Sequence, residues 1–533
     1  MLKNLLKENK INKKLKINLI IIFSIILLAV PHSVSNAVST IYYVSPSGSN
    51  SNPGTSTSQP WQTIQYAVDH VSAGDVIYVR AGTYNESVGI HLSGQTGNPI
   101  TLSGYQNETA VIDAGTSIAV YDSGNHEYIV IQNLTIKSAG RFTLRIGWWG
   151  DSKSSNYWTV KNNKITGANI IRGHHNVFEN NDINGTGYTQ DGSGIQDIQE
   201  VSYSNLYKNN SIHDFTANTG RGIWLESRSH DDIVDGNTIW NITGGLGQCI
   251  DIDDYGNVGW GHTIRNNTVW NCGYVGIQIE NGWNNLVENN KISDSKAAGI
   301  IIINYGSGEC EVGGDNNQYG DTNLDGDCRG DTTENMIRQN LIVNSGTVGA
   351  IVSYYVGGVH VLNNTIYNAQ SVGLFLHNTY TKNWDVRGNI FANSKRAEIS
   401  GVDLSSMVQD DYNLFYNANS SRIYEMTSNS STYSLATYKT TFKKGMHSIQ
   451  ADPQFTDPAN SNFQLKTTSP AVDRGIDSGL LVDFMGNPRP QGNGFDIGIF
   501  ELNTSGSTPL PTPVPKVDPA DYDNLCYIPL IIK

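Results

Sequence analysis

Between residues 160 and 392 the chain repeats one short phrase nine times: an apolar residue, two or three polar ones, an asparagine, then another apolar residue. The copies read VKNNKI (Val160 to Ile165), FENNDI, YKNNSI, VDGNTI, IRNNTV, VENNKI, IRQNLI, VLNNTI and VRGNIF. Their asparagines, Asn163, Asn181, Asn210, Asn237, Asn267, Asn290, Asn340, Asn364 and Asn389, lie 18, 29, 27, 30, 23, 50, 24 and 25 residues apart. One phrase per coil is the mark of a solenoid, whose units bury their apolar faces only against their neighbours. The interval of 50 is two periods or one coil with an insertion. Each phrase alternates with period two between Gly, Asn and Ser, so the unit is strands and turns with no room for a helix. The pattern predicts an all-β, single-stranded parallel β-helix reaching to about residue 400.

A second strand recurs as Gly followed by apolar-x-apolar: GIWLE (Gly222 to Glu226), CIDID (Cys249 to Asp253), GIQIE (Gly276 to Glu280), then GIIII, GAIVS and GLFLH. Side chains alternate across a strand, so Ile223, Leu225, Ile250, Ile252, Ile277 and Ile279 are expected in the core, and the residues between them in water. The outward pairs on three consecutive coils are Trp224 and Glu226, Asp251 and Asp253, Gln278 and Glu280. Glu226, Asp253 and Glu280 therefore form one vertical column of carboxylates.

Like charges opposite one another on neighbouring strands are destabilising, which asks for a reason. Strands about 4.8 Å apart put adjacent carboxylates at a spacing near the about 5–5.5 Å of retaining glycosidases, and alternate ones near the inverting limit of about 9.5 Å. Close carboxylates also push one pKa upward, supplying an acid near neutral pH. A solvated acidic face or a structural cation site would produce the same column. The loops that follow carry Arg228 and His230, then Asp254, Tyr255 and Trp260, then Trp283, then Tyr305 and a long insertion. Their aromatic rings suit sugar faces. Trp240 and Trp270, equivalent positions on consecutive coils, are expected to stack. The repeated asparagines are expected to hydrogen-bond in a ladder and to take no part in chemistry.

In the insertion, Asp321, Asn323, Asp325, Gly326 and Asp327 match the first half of a calcium loop. Position twelve is Thr332 where the loop needs Glu, and Asp331 or Glu334 would have to substitute. The expectation is structural Ca2+, with an acidic loop as the alternative. Cys310 and Cys328 bracket it and are the expected disulfide; Cys249 and Cys272 fit buried thiols or a second bridge, buried thiols being the default.

The chain has 533 residues and a formal charge of −14. Lys3, Lys7, Lys10, Lys13, Lys14 and Lys16 precede the apolar run Leu19 to Val30, and Ser35, Asn36 and Ala37 follow, which reads as a secretory signal over 1–37. Without it, 29 basic side chains face 48 acidic ones, −19 net. That disfavours nucleic acid and anionic membranes as partners. The expectation is an extracellular monomer, with no stable membrane span, acting on a polysaccharide or oligosaccharide.

Trp61, Ile64, Val68 and Val71 fall at helical spacing after Pro60 and before a strand at Val76 to Val79, giving an N-terminal capping helix within residues 38–115. The segments YYVSPSGSNSNPGT, PWQTIQYAV, AGDVIYVRAGTYNES and GNPITLSGY together resemble the entry segment of secreted right-handed parallel β-helix proteins, a group that contains pectate and alginate lyases and several glycoside hydrolases. The resemblance implies a right-handed coil over 116–400. ADPQFTDPANSNFQLKTTSPAVDRG and GNPRPQGNGFDIGIFE are similar to the C-terminal segment appended to surface β-helix proteins, implying a β extension over 401–503 without chemistry. Residues 504–533 read as a Ser/Thr/Pro linker and an apolar tail.

These readings converge on a secreted glycoside hydrolase, with Asp253 and Glu280 as nucleophile and acid in either order. Glu226 and Asp251 would tune charge or hold substrate, beside Trp224, Gln278, Arg228, His230, Tyr255, Trp260 and Trp283. The rival is a calcium-dependent polysaccharide lyase in which Asp251, Asp253, Asp254, Glu226 and Glu280 hold the metal. Lyases of the resembled group use a Lys or Arg as base, and only Arg221, Arg228 and Arg265 stand nearby, with no Lys on the column. A third possibility is a non-catalytic surface adhesin.

Overall fold

The computed structural model describes residues 39–502 except 123, 149–152, 191, 200, 217–219, 227, 254–258, 305–332 and 419. Successive turns of the chain lay strands onto three parallel sheets of 14 strands each, every strand pairing with those one coil before and after. The first sheet starts at Ile41–Val44, the second at Val88–Gly89 and the third at Gly82–Tyr84. Among the described strands of these three sheets, only the last of the second sheet, Ser431–Tyr433, runs antiparallel to its neighbour.

The alternation in the sequence fills the interior: Ile223, Ile250, Ile252, Ile277 and Ile279 are fully buried and Leu225 is 1% exposed. The asparagine phrases close one corner as a ladder. From Asn181 onward each Oδ1 accepts the backbone N–H and side-chain amide of the asparagine one coil earlier, as when Asn237 donates both to Asn267 at 2.8 and 3.0 Å. Asn290 donates directly to Asn340 at 3.0 Å, so the 50-residue interval is one coil with an insertion. The ladder goes one rung beyond the nine phrases, to Asn413. The solenoid accordingly continues past residue 400: Leu414–Tyr416 pairs with Ile390–Ala392, and Ile449–Gln450 with Leu414–Tyr416. Asp410 stands where the other phrases begin with an apolar residue, which hid this coil in the sequence.

A second ladder was not legible. Asn176, Asn205, Asp232, His262, Asn285 and Asn335 accept in turn from the backbone N–H one coil earlier, at the corner between the second and first sheets. Asp232 and His262 interrupt its asparagines, so no single residue type repeats.

The capping helix is short, Ile64–Val68, with Thr63 as N-cap. Ile64, Ala67 and Val68 are buried and close the open end. Beyond Gln450, Phe455, Phe463, Leu465, Ile497, Ile499 and Phe500 pack on outward side chains of the third sheet. Cys249 and Cys272 form a disulfide across 23 residues, against the expectation of free thiols; the start of one second-sheet strand and the end of a third-sheet strand meet at the same corner.

Candidate active site

The second sheet carries the carboxylates in register. Glu226 pairs with Asp253, Trp224 with Asp251, Asp251 with Gln278, and Ile252 with Ile279, which sets Glu280 beside Asp253. The row continues upward to Gln196 and downward to apolar Ile301, so the polar stretch spans four coils.

These outward side chains do not face open water, contrary to the expectation from alternation. Asp251 is fully buried, and Glu226, Asp253 and Gln278 are 4–6% exposed. The cover is in part Arg221, two residues before its strand. Its guanidinium lies 3.7 Å from the centre of the Trp224 ring and donates from Nε to Asp251 at 2.5 Å and from a terminal nitrogen to Asp253 at 2.7 Å. Strand parity could not place Arg221, because it precedes the strand Ile223–Glu226. Gln196, which donates to Glu226 at 2.6 Å, was missed because GIQDI, one coil earlier, was not aligned with the other copies.

Four carboxyl groups around one guanidinium cannot all be ionised away from water, and their proton affinities rise accordingly. Burial, then the charges of Asp253 and Asp251, push Glu280 up to about 9. Burial pushes Glu226 to about 7 despite the Gln196 hydrogen bond. Asp251 also stands at about 7, raised by burial and lowered by Arg221. Asp253 is raised by burial, against the pull of Arg221 and of a hydrogen bond with Glu280. Gln278 donates to the other side of Glu280 at 2.8 Å. At neutral pH, then, Glu280 holds a proton and shares it with Asp253.

The guanidinium sits where a cation among these carboxylates would sit. Among the described residues, no group of three Asp, Glu, His or Cys side chains is arranged to hold a metal ion. Asp254, Tyr255 and Tyr305, the calcium-loop residues Asp321, Asn323, Asp325, Asp327 and Asp331, and the cysteines Cys310 and Cys328 lie outside the described residues.

His230, Trp260 and Trp283 do not stand as three separate platforms. They form one stack along the corner after the site strands, Tyr203 to His230 at 5.1 Å, His230 to Trp260 at 4.4 Å and Trp260 to Trp283 at 6.3 Å. Parallel pairing brings equivalent positions of successive coils into line, so the rings cover each other's faces. Arg228 lies in the same turn with φ of 70°. Arg265 is elsewhere, on the first sheet, where it pairs with Asp235 at 3.0 Å. Among the described residues, Trp224 Nε1, a donor, and Asp251 Oδ1, an acceptor, are buried at the site without a hydrogen-bond partner.

The family described as "Right handed beta helix region" matches residues 146–317 and 255–437, and "Pel9A-like, right handed beta helix region" matches 42–223. The second match ends before Glu226, the first member of the carboxylate column. Among curated proteins, the uncharacterized protein YwoF of Bacillus subtilis (strain 168) is 26% identical over 477 residues, 80% of this chain and 91% of its own. Pectate lyase PEL9 of Emericella nidulans is 44% identical over 73 residues, 13% of this chain and 18% of that protein. Among solved structures, XylC in complex with xylose has a TM-score of 0.50 at 12% identity, covering 87% of this chain and 98% of that one. Pectate lyase Pel9A has a TM-score of 0.44 at 16% identity, covering 88% and 97%.

Proposed function

We propose, on the premise that this chain belongs to the right-handed β-helix family, that it is a polysaccharide-active enzyme which hydrolyses glycosidic bonds, with Glu280 as acid and Asp253 as its carboxylate partner. One observation carries the reading: Glu280, at about 9, is hydrogen-bonded to Asp253, which Arg221 holds at 2.7 Å. A protonated carboxyl beside a carboxylate stabilised by a fixed cation is the division of labour that glycoside hydrolysis needs. Glu280 gives its proton to the departing glycosidic oxygen while the Asp253 carboxylate attacks the anomeric carbon. Water then cleaves the glycosyl ester, losing its proton to the Glu280 carboxylate, and both residues return to their starting states. The direct contact of Asp253 with Glu280 leaves no room for the water that inversion places between its two carboxyls, which favours this retaining course.

The lyase reading draws on the Pel9A-like match and the likeness to pectate lyase PEL9. It stands second because Arg221 already neutralises the carboxylates a calcium ion would join. We place the reaction outside the cell; the N-terminal secretory pattern and the Cys249–Cys272 bridge support this, since disulfides persist in oxidising compartments.

The test is a polysaccharide panel assayed for new reducing ends and for the ultraviolet absorbance of unsaturated products. Reducing ends without unsaturation are expected, with Asp253→Asn and Glu280→Gln each slowing turnover about 100- to 10,000-fold. Unsaturated products abolished by a chelator would establish the lyase instead.

A further inference from the structure

Behind the carboxylate column the core of the solenoid holds a second pair of carboxyls. Asp197 occupies an inward position of the strand Ile195–Ile198, between Ile171 one coil before and Leu225 one coil after, and is fully buried. One of its oxygens, Oδ2, accepts from the Tyr207 hydroxyl at 2.5 Å and from the Asn205 amide at 3.0 Å. The other, Oδ1, has no such donor among the described residues. Facing it from the next coil is Asp232, also fully buried, and the two carboxyls hydrogen-bond to each other.

The ladder shows which of them carries the proton. At the other rungs Asn176, Asn205 and Asn335 accept a backbone N–H on Oδ1 and donate from the amide to a carbonyl oxygen. Asp232 keeps the first half, accepting the Asn205 N–H on Oδ1 at 2.8 Å, and places Oδ2 where the others have their donor. His262 Nδ1 stands 3.4 Å from that oxygen but accepts the Asp232 N–H, so it has no proton to offer. A proton on Asp232 Oδ2, donated to Asp197 Oδ1, satisfies both oxygens. Burial and the Asp197 charge hold Asp232 well above the ordinary carboxylate range. The titratable groups that face the pair are Tyr207 from the first sheet, His262 from the following coil, and Asp231 with its partner His230 at the corner. Among the described residues neither carboxyl has a Lys or Arg partner.

We propose that Asp197 and Asp232 are positioning residues, whose shared proton clasps two coils from inside so that Gln196 stays on Glu226 outside. Gln196 and Asp197 are neighbours on opposite faces of one strand, and that strand pairs with the preceding coil at only two positions. Gln196 donates to Glu226 at 2.6 Å across the same two coils that Asp197 and Asp232 join. Loss of the shared proton to solvent as pH rises would leave two facing carboxylates without water or a cation, and the coils would part. The bearing of this clasp on turnover rests on the hydrolase reading; the clasp itself does not.

The test is a carboxyl NMR titration of the full-length protein labelled at its glutamates, with the Glu226 signal assigned by Glu226→Gln. The midpoint of Glu226 stands at about 7, held down by the Gln196 hydrogen bond. Gln196→Ala should raise it by about one unit, the scale of one hydrogen bond to a charged group. Asp232→Ser should raise it likewise. Its hydroxyl can take the Asn205 N–H, as Ser448 takes that of Asn413 at 3.1 Å, but offers no second atom to Asp197. Asp232→Asn should leave the midpoint with the parent, because an amide donates to Asp197 without titrating, and should remove one protonated-carboxyl band from the infrared spectrum. Gln196→Ala with Asp232→Ser should shift the midpoint no further than either alone, with melting temperatures confirming folded variants. The proposal is overturned if Asp232→Ser leaves Glu226 unmoved, if Asp232→Asn shifts it as much as Asp232→Ser, or if the infrared band survives in Asp232→Asn. None of these readings needs turnover, so an inactive enzyme would count against the hydrolase reading alone.

Discussion

At the scale of single residues, Arg221 governs the site. It is 4% exposed and answers two carboxylates, so Arg221→Ala leaves buried charge uncompensated. Breaking such a pair from one side costs about 3–5 kcal/mol, and urea denaturation should register a loss of that order. Adding Asp251→Asn to Arg221→Ala should recover part of it; a double variant no more stable than the single would mean the two do not interact. Glu280 sets the pH dependence. As the proposed acid of hydrolysis it must carry its proton, so activity should fall as pH rises through about 9. Asp253 must be ionised, which gives an acid limb above the ordinary carboxylate range, since its own pKa is raised. Initial rates from pH 4 to 10 read both limbs, and an alkaline limb well below the Glu280 value would assign the proton to another group.

At the scale of elements, the asparagine ladder joins the coils at one corner. Asn267 accepts from Asn237 and donates to the Val234 carbonyl at 2.8 Å, with all these groups buried. Asn267→Ala strands them, and each unsatisfied buried group costs about 1–3 kcal/mol, so equilibrium unfolding should show a loss of several kcal/mol. The same substitution at exposed Asn266 should cost far less. The insertion between Asn290 and Asn340 is tested by its sequence pattern. Calcium is expected to raise the melting temperature, because binding to the folded form alone stabilises by mass action. Asp321→Ala with Asp325→Ala should remove the increment, and a calcium-independent melting curve for the unmutated protein would leave only an acidic loop.

At the scale of the whole molecule, the interior holds an unusual number of carboxyls with raised pKa. Burial lifts Asp197 and Asp410 to about 6, Glu398 and Asp496 to about 7, and the site adds Glu226, Asp251 and Glu280. Each is protonated more readily folded than unfolded. Its contribution is therefore complete below the unfolded pKa near 4 and is lost as pH rises through the folded value. His262, lowered to about 3 by burial, works the other way and loses stability as pH falls below its unfolded pKa of about 6.5. Among the described residues Asp232, Asp253 and Glu501 are raised too, ten carboxyls in all against four lowered ones and the three lowered imidazoles His174, His262 and His377, which leaves the sum on the acid side. The melting temperature should peak near pH 5 and decline toward pH 9, and a flat or rising profile over that span would contradict these assignments.

The sequence by itself determined the solenoid, its coil length, the inward Ile and Leu of each strand, the ladder of Asn163 to Asn389 and the alignment of Glu226, Asp253 and Glu280. Period-two alternation and a fixed repeat are local properties, and a parallel coil converts each directly into position. What only the tertiary structure decided lies off that lattice. Arg221 precedes its strand and folds back over two coils, and Cys249 meets Cys272 where two sheets turn. The second ladder changes residue type at Asp232 and His262. His230, Trp260 and Trp283 close on one another, and Trp240 stacks on Trp270. Each depends on which side chains meet across coils at a turn, where neither parity nor spacing constrains the chain and only the packed neighbours do.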